Sequence, residues 1–321
     1  MQLPIELNMA IESQIEDIKH NDLKEISETI TYKYKNESGR GKSLINKDDE
    51  AITYSVVRMP ATYGAVYTAL DYTLNLYDYK INTLLDVGAG TGAASWAVDS
   101  LIDLEKVVCL EREQAMRKVG KKIMTSSESA ALRESEWNEF DITKGEINNK
   151  SDLVVASYIL NELCEQDRLK AVDKLWNATD KLLIILEPGT KIGFSNLKRI
   201  REHLISLGAN IVAPCAHENK CEIDSWCHFT CRVERSKVHR ETKRGDVPYE
   251  DEKFAYLAVS REKVSRADMR ILRHPIIKKG RVGLEVRSKD GIENFELYKK
   301  DKELYKKARK ANWGDELYVE R

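Results

Sequence analysis

The stretch LLDVGAGTGAAS, Leu84 to Ser95, decides how this chain is read. A short apolar run ends on an acid, Asp86; three glycines follow at Gly88, Gly90 and Gly92, and a helix of small residues starts at once. Glycine tolerates positive φ and lets a ligand approach the backbone, while the helix start beyond it offers unpaired N–H groups. A dinucleotide would satisfy G-x-G-x-x-A at Gly88, Gly90 and Ala93, so the glycine spacing leaves two cofactors open. The acid two residues before the first glycine favours S-adenosylmethionine, whose amino acid moiety carries an ammonium group and whose body has no pyrophosphate to cradle.

On either side of this loop, short apolar runs alternate with helical segments. TLLDVG, VVCLE, DLVVASY and KLLIILEP read as strands, with helices over Ala93 to Ser100, Arg112 to Thr125, Glu165 to Ala178 and Asn196 to Leu207. This alternation predicts βαβ units and a parallel sheet covered on both faces. ANIVAP and KFAYLAVSR read as a sixth and a seventh strand. Apolar positions at helical spacing from residue 5 to 35 predict two helices parting near Asn21 and Asp22, and a further helix opens at Arg58-Met59-Pro60. The chain divides into a helical region over 1–80, a core over 81–260 with an insertion at 214–250, and a basic β-meander plus helix over 261–321.

In such a sheet the strand ends carry the ligand. Glu111, closing the second strand, is placed to accept hydrogen bonds from both ribose hydroxyls. Asp141, in EFDIT, follows a third strand where methyltransferases commonly bind the adenine amino group. SYILNEL brings Ser157, Tyr158, Asn161 and Glu162 to the crevice at the carboxyl ends of the strands. The expected cofactor residues are Asp86, Gly88, Gly90, Gly92, Glu111, Asp141, Tyr158 and Asn161.

A second constellation lies in the insertion. Cys215, Cys221, Cys227 and Cys231 fall within seventeen residues, and only Cys109 and Cys164 lie elsewhere. The spacing C-x5-C-x5-C-x3-C has neither the C-x2-C knuckle of most zinc modules nor the C-x3-C-x2-C run of radical adenosylmethionine enzymes. Four thiolates around an iron–sulfur cluster fit best, ahead of zinc; ordinary buried thiols are the bland alternative. His217 and His228 share the segment as further candidate ligands.

Charge nearly cancels over the chain but not along it. From Cys215 to Arg321 there are 26 Lys and Arg against 20 Asp and Glu, and the preceding residues carry 26 against 33. A basic third beside a metal site suits a nucleic-acid contact. Arg232, Arg235, Lys237, Arg240, Lys243 and Arg244 are expected to meet RNA phosphates; a solvated lysine-rich face is the alternative. No apolar run approaches the roughly 18 residues needed to span a bilayer. The opening MQLPIELNMAIESQIED is acidic and does not read as a transit peptide. A monomeric, cytoplasmic protein without membrane contact is therefore expected.

Several motifs together resemble one family, the methyltransferase-like proteins of the mitochondrial ribosomal small subunit and their bacterial homologues. They are RMPAT at Arg58 to Thr62, LDVGAGTGAASWA at Leu85 to Ala97, EPGT at Glu187 to Thr190, the APC, C and WCHF elements across Ala213 to Phe229, PYEDEKFAYLAVSR at Pro248 to Arg261, and ARKANWGDEL. The resemblance implies a class I (Rossmann-like) S-adenosylmethionine-dependent methyltransferase fold, association with small-subunit ribosomal RNA or the immature subunit during assembly, and a [4Fe-4S] cluster. It also implies cluster cysteines at the positions of Cys215, Cys221 and Cys227, with a fourth from the C-terminal meander just before an Asp-Gly turn. This chain departs there: EVRSKDG puts Arg287 and Ser288 at that place, so Cys231 is expected to complete the site.

The reaction is less legible than the cofactor. The sulfonium is intrinsically electrophilic, so catalysis needs an aligned acceptor and, for weakly acidic acceptors, a base. There is no Asn-Pro-Pro-aromatic signature of amine methylation, and Cys164 reads as packing, so no catalytic residue is assigned. The sequence supports an rRNA methyltransferase first and a non-catalytic assembly factor, with the cluster as a structural staple, second. A small-molecule enzyme would leave the basic third unexplained.

Overall fold

Five strands run parallel through the middle of the protein: β1 (Thr83–Val87), β2 (Lys106–Glu111), β3 (Glu136–Glu139), β4 (Ser151–Ser157) and β5 (Thr179–Pro188). Three more, β6 (Asn210–Ala213), β7 (Phe229–Glu234) and β8 (Tyr249–Ser260), complete an eight-stranded sheet of order β3-β2-β1-β4-β5-β8-β6, with β7 paired to β8. β8 is antiparallel to β5, β6 and β7. The computed structural model describes residues 1–16, 18–37, 43–221, 226–243, 245 and 247–318.

Among the described residues four helices precede β1: α1 (Ile5–Ser13), α2 (His20–Asn36), α3 (Asp48–Val57) and α4 (Met59–Leu74). The crossovers carry α5 (Ala93–Asp99), α6 (Gln114–Met124), α7 (Ala130–Arg133), α8 (Glu165–Asn177) and α9 (Lys191–Ser206). Between β7 and β8 lies α10 (Lys237–Lys243). A five-stranded antiparallel sheet follows, made of β9 (Met269–Ile271), β10 (Ile276–Lys278), β11 (Arg281–Ser288), β12 (Gly291–Tyr298) and, after α11 (Lys302–Lys310), β13 (Glu316–Leu317).

Alternation along the buried strands explains the layering. Leu84, Val107, Leu153, Val155 and Ile184 point into one core, shared with α4, α5 and α6. Their neighbours Leu85, Val87, Val154 and Ile185 point into a second core, under α8 and α9. Successive strand residues face opposite sides, so strands apolar on both faces must be covered twice. The small sheet has its own core, in which Val282, Leu284 and Val286 pack on Tyr305 and Ala308 of α11. Among the described residues no helix is long and apolar enough to cross a membrane.

Several boundaries differ from expectation. α1 ends at Ser13 and α2 starts at His20, so the break between them falls ahead of Asn21. No element was expected over most of α3. Its apolar and polar residues carry no helical stripe because it is covered on several sides: Ala51, Thr53, Ser55, Val56 and Val57 are all buried. α9 starts five residues before Asn196, because the Thr190 hydroxyl caps the helix by accepting from the Gly193 amide at 3.1 Å.

Candidate functional site

The glycine loop folds as the sequence requires. Gly88, Gly90 and Gly92 have φ of 73°, 57° and 88°, a region in which side chains with a Cβ are strained. The Gly90 amide donates to Glu111 Oε2 at 2.8 Å, and the Glu113 amide donates to Glu111 Oε1, also at 2.8 Å. The acid at the end of β2 thus holds the loop after β1. Each carboxylate oxygen keeps a lone pair for a further donor. Burial, only partly offset by these two amides, pushes the Glu111 carboxyl above the usual carboxylate range.

This pair sits in the wall of a cavity of about 930 Å³, within the range of small-molecule and cofactor sites. Gly88, Gly90, Glu111, Asp141, Tyr158 and Asn161 all line it. Asp141 Oδ1 accepts from the Thr143 amide and hydroxyl, and these bonds with Lys144 hold its carboxyl low despite partial burial. Asn161 Oδ1 is buried without a partner. Tyr158, at the end of β4, has φ of 60°, and its hydroxyl donates to Glu252 Oε1 at 3.3 Å. Strained backbone of this kind collects at ligand sites.

Two expected cofactor residues lie elsewhere. Asp86 is fully buried behind the loop, where its Oδ2 accepts from the Ser95 amide and hydroxyl at 3.1 and 2.8 Å. It ties β1 to the first turn of α5, and burial raises its carboxyl to about 7. Gly92 faces the protein interior, since a Cβ there would meet Met124 Cε at 2.3 Å. Neither forms part of the cavity wall.

Sequence reasoning missed the roof. Ser27, Ile30, Thr31 and Tyr34 of α2, with Tyr54 of α3, line the cavity together with Arg58, Tyr158 and Glu252. The Tyr34 and Tyr54 rings lie 5.9 Å apart. Glu162 also lines the cavity, and burial followed by the nearby Glu111 raises its carboxyl to about 7. The only sequence signal for this roof was the apolar spacing of α2, which reads equally as core.

The six basic residues expected to meet RNA do not form one free patch. Arg232 is exposed but forks onto Asp251 at 2.7 and 2.8 Å and stacks on Tyr249. Arg235 and Lys243 both line the cavity and ion-pair with Glu250, at 3.2 and 2.8 Å. Lys237 is exposed and Arg240 half-buried. Arg244 lies outside the described residues.

The four cysteines separate as well. Cys215, Cys221 and Cys227 line one small cavity, and burial, with the two neighbouring cysteines, raises the Cys227 thiol to about 12. Cys231 is turned toward α4, where its Sγ would lie 3.1 Å from a Cβ on Gly64. The period-two alternation of β7 sets this direction, burying Phe229, Cys231 and Val233 on one face. The structure therefore does not bring Cys231 to the other three. At the expected fourth corner, Arg287 and the three cysteines line the same cavity. Among the described residues no three His, Cys, Asp or Glu side chains gather closely enough to hold a single metal ion. The donor set that remains, three thiols beside buried guanidiniums, fits an anionic group with three thiolate ligands; it does not fit the expected four-cysteine site.

Comparison with known proteins places this architecture. A family model described as mitochondrial small ribosomal subunit Rsm22 matches residues 48–318. The chain belongs to the Rsm22 family. Human "Ribosome assembly protein METTL17, mitochondrial" is 27% identical over 292 residues, covering 84% of this chain and 62% of that protein. The Schizosaccharomyces pombe "Rsm22-cox11 tandem protein 2, mitochondrial" is 28% identical over 235 residues, covering 67% of this chain and 30% of that protein. This Rsm22 family chain thus spans less than two thirds of either relative. Among solved structures, magnesium protoporphyrin IX methyltransferase from Synechocystis with bound SAM aligns over 81% of this chain and 98% of its own, at 11% identity and a TM-score of 0.43, a likeness too distant to bear on ligand or activity. The expectation of a cytoplasmic protein is corrected by these relatives. The family and both proteins are named as mitochondrial, and the acidic N-terminal segment carried no information against that compartment.

Proposed function

We propose that this Rsm22 family member binds S-adenosylmethionine beneath α2, acts in assembly of the mitochondrial small ribosomal subunit, and methylates its ribosomal RNA. The observation that carries the cofactor reading is the Glu111–Gly90 hydrogen bond at the end of a 930 Å³ cavity. It presents a carboxylate with spare lone pairs beside a loop that a ribose can approach. Asn161 Oδ1, buried without a partner in the same wall, supplies a further acceptor. S-adenosylmethionine would bring the electrophilic methyl group. Glu162, raised to about 7, stands in the wall as a group able to take a proton from an acceptor near neutral pH. Partnership with ribosomal RNA rests on what the relatives are named for and on the basic C-terminal third. Cys215, Cys221 and Cys227 are read as ligands of an iron–sulfur cluster.

A second reading is a non-catalytic assembly factor, favoured by the absence from the sequence of an Asn-Pro-Pro-aromatic signature for amine methylation. Transfer of tritium from labelled S-adenosylmethionine to immature mitochondrial small subunits separates the two. Incorporation into RNA that is lost in Glu162→Gln, with cofactor affinity retained, supports catalysis. Cofactor binding without incorporation into any RNA leaves the assembly factor.

A further inference from the structure

Around the three-cysteine cavity stand three buried arginines, Arg201 of α9, Arg270 of β9 and Arg287 of β11, exposed by only 3%, 1% and 7%. Arg270 is neutralised: its Nη1 donates to Glu316 Oε2 at 3.1 Å and to the Gly314 carbonyl at 2.8 Å. The other two have no carboxylate partner among the described residues. Arg201 Nη2 donates to the His217 carbonyl at 2.5 Å, while its Nε and Nη1 are buried with no partner among the described residues. Arg287 Nη2 lies 2.8 Å from His217 Nε2, a neutral contact that leaves the charge unbalanced.

A guanidinium cannot shed its proton in a protein, and an uncompensated buried charge is among the costliest arrangements a fold can hold. Two such cations beside three thiols call for an anionic guest. A single metal ion is a poor one, because its ligands must crowd within a few ångströms and no described trio does so. An iron–sulfur cubane sets its cysteine ligands farther apart. On three thiolates it is also net anionic, which matches the two open guanidiniums.

We propose that Cys215, Cys221 and Cys227 are the only protein ligands of an iron–sulfur cluster, that Arg201 and Arg287 neutralise it, and that the fourth iron takes a small exogenous ligand on the side of Arg287. The inference rests on the cysteine-site reading of the preceding section and goes beyond it in ligand number and in the role of the arginines. Arg287 has no lone pair to give a metal, so its charge and its N–H groups are all it can offer. A cation beside a cluster favours the reduced, more negative state, so each arginine should raise the reduction potential. Cys231, facing Gly64 of α4, contributes nothing to the cluster.

The test is anaerobic reconstitution of the full chain with iron and sulfide, followed by iron and sulfide assay, redox titration and electron paramagnetic resonance. Cys231→Ser is expected to keep the wild-type iron content, and Cys227→Ser to lose it. Arg287→Met should keep the cluster at a lower potential, Arg287→Lys should stay near wild type, and Arg201→Met should fall in the same direction as Arg287→Met. Cyanide or imidazole should alter the wild-type resonance spectrum and leave that of Arg287→Cys unaltered. Iron lost equally from Cys231→Ser, a wild-type spectrum indifferent to both small ligands, or an unchanged potential in both Met variants overturns the three-thiolate arrangement while leaving a cluster in place. Wild-type protein that takes up neither iron nor sulfide overturns the cysteine-site reading itself, and this inference with it.

Discussion

Glu111 Oε2 accepts the Gly90 amide hydrogen at 2.8 Å, so the acid of the second strand and the loop of the first are one unit. Loop shape and ligand contact cannot then be mutated separately. Glu111→Ala should weaken S-adenosylmethionine binding about tenfold or more, since about 1.4 kcal/mol corresponds to a factor of ten and hydrogen bonds to charged groups are worth about 1.5–3 kcal/mol. It should also lower stability, by leaving the Gly90 and Glu113 amides without partners. Calorimetric titration with thermal unfolding checks both, and unchanged affinity would remove Glu111 from the cofactor site.

Asp86 should give the protein a distinctive pH dependence. Its carboxyl is raised from 3.8 to about 7 by burial, so between those values the native state keeps a proton that the unfolded state has lost. Stability contributed by the neutral form is complete below the unfolded value and declines as pH rises toward 7. Asp86→Asn preserves an acceptor for the Ser95 amide and removes the titration. The slope of unfolding free energy against pH between 4 and 7 should change by up to about 1.4 kcal/mol per pH unit, the limit for one proton. Parallel denaturant titrations of the two proteins across that range measure it, and identical slopes would mean that Asp86 ionises normally.

Most of the sheet was legible because buried parallel strands write continuous apolar runs, as in Val107 to Leu110 and Leu182 to Leu186. The position of Glu111 followed from strand order alone. Asp86 was misplaced because an acid at a strand end looks the same whether it faces a ligand or caps the next helix, and only the Ser95 hydroxyl decides between them. Cys231 was grouped with the other cysteines by sequence proximity. Once Phe229 to Glu234 is a strand, side-chain direction follows its own alternation, and that alternation sends Cys231 to α4. The roof of the cavity was invisible because Tyr34 and Tyr54 come from segments whose pairing across the loop is purely tertiary.

The contact between β7 and α4 leaves no spare room. A Cβ on Gly64 would lie 2.4 Å from Val233 Cγ2 and 3.1 Å from Cys231 Sγ. Gly64→Ala gains helix propensity but overpacks this contact, and a net loss of about 1–3 kcal/mol is expected. Adding Val233→Ala should restore part of the loss, and a double-mutant cycle in urea reads the coupling. Additive effects would place the strand and helix farther apart than they are here.

Of the basic residues in the insertion, only those not committed inside the protein should contribute to RNA binding. Lys237 is exposed, and Arg232 can exchange Asp251 for a phosphate at the surface. Removing both should flatten the dependence of log affinity on log salt by about 0.7–0.9 per lost phosphate contact. Arg235 and Lys243 instead hold Glu250, whose carboxyl lies well below the usual range, despite its burial, because His239 stands 3.2 Å away and Lys243 hydrogen-bonds to it. A depressed acid contributes stability above its unfolded value of 4.5 and loses it as pH falls. Lys243→Ala should therefore destabilise the protein at pH 7, by about 1.5–3 kcal/mol on the scale of hydrogen bonds to charged groups, with little change in the salt slope. Filter binding of small-subunit RNA from low to high salt, set beside urea unfolding at pH 7 and pH 4, separates the two pairs. A salt slope that flattens in Lys243→Ala and not in the Arg232 and Lys237 double variant would place the RNA at the cavity mouth instead of on the outer face of β7 and α10.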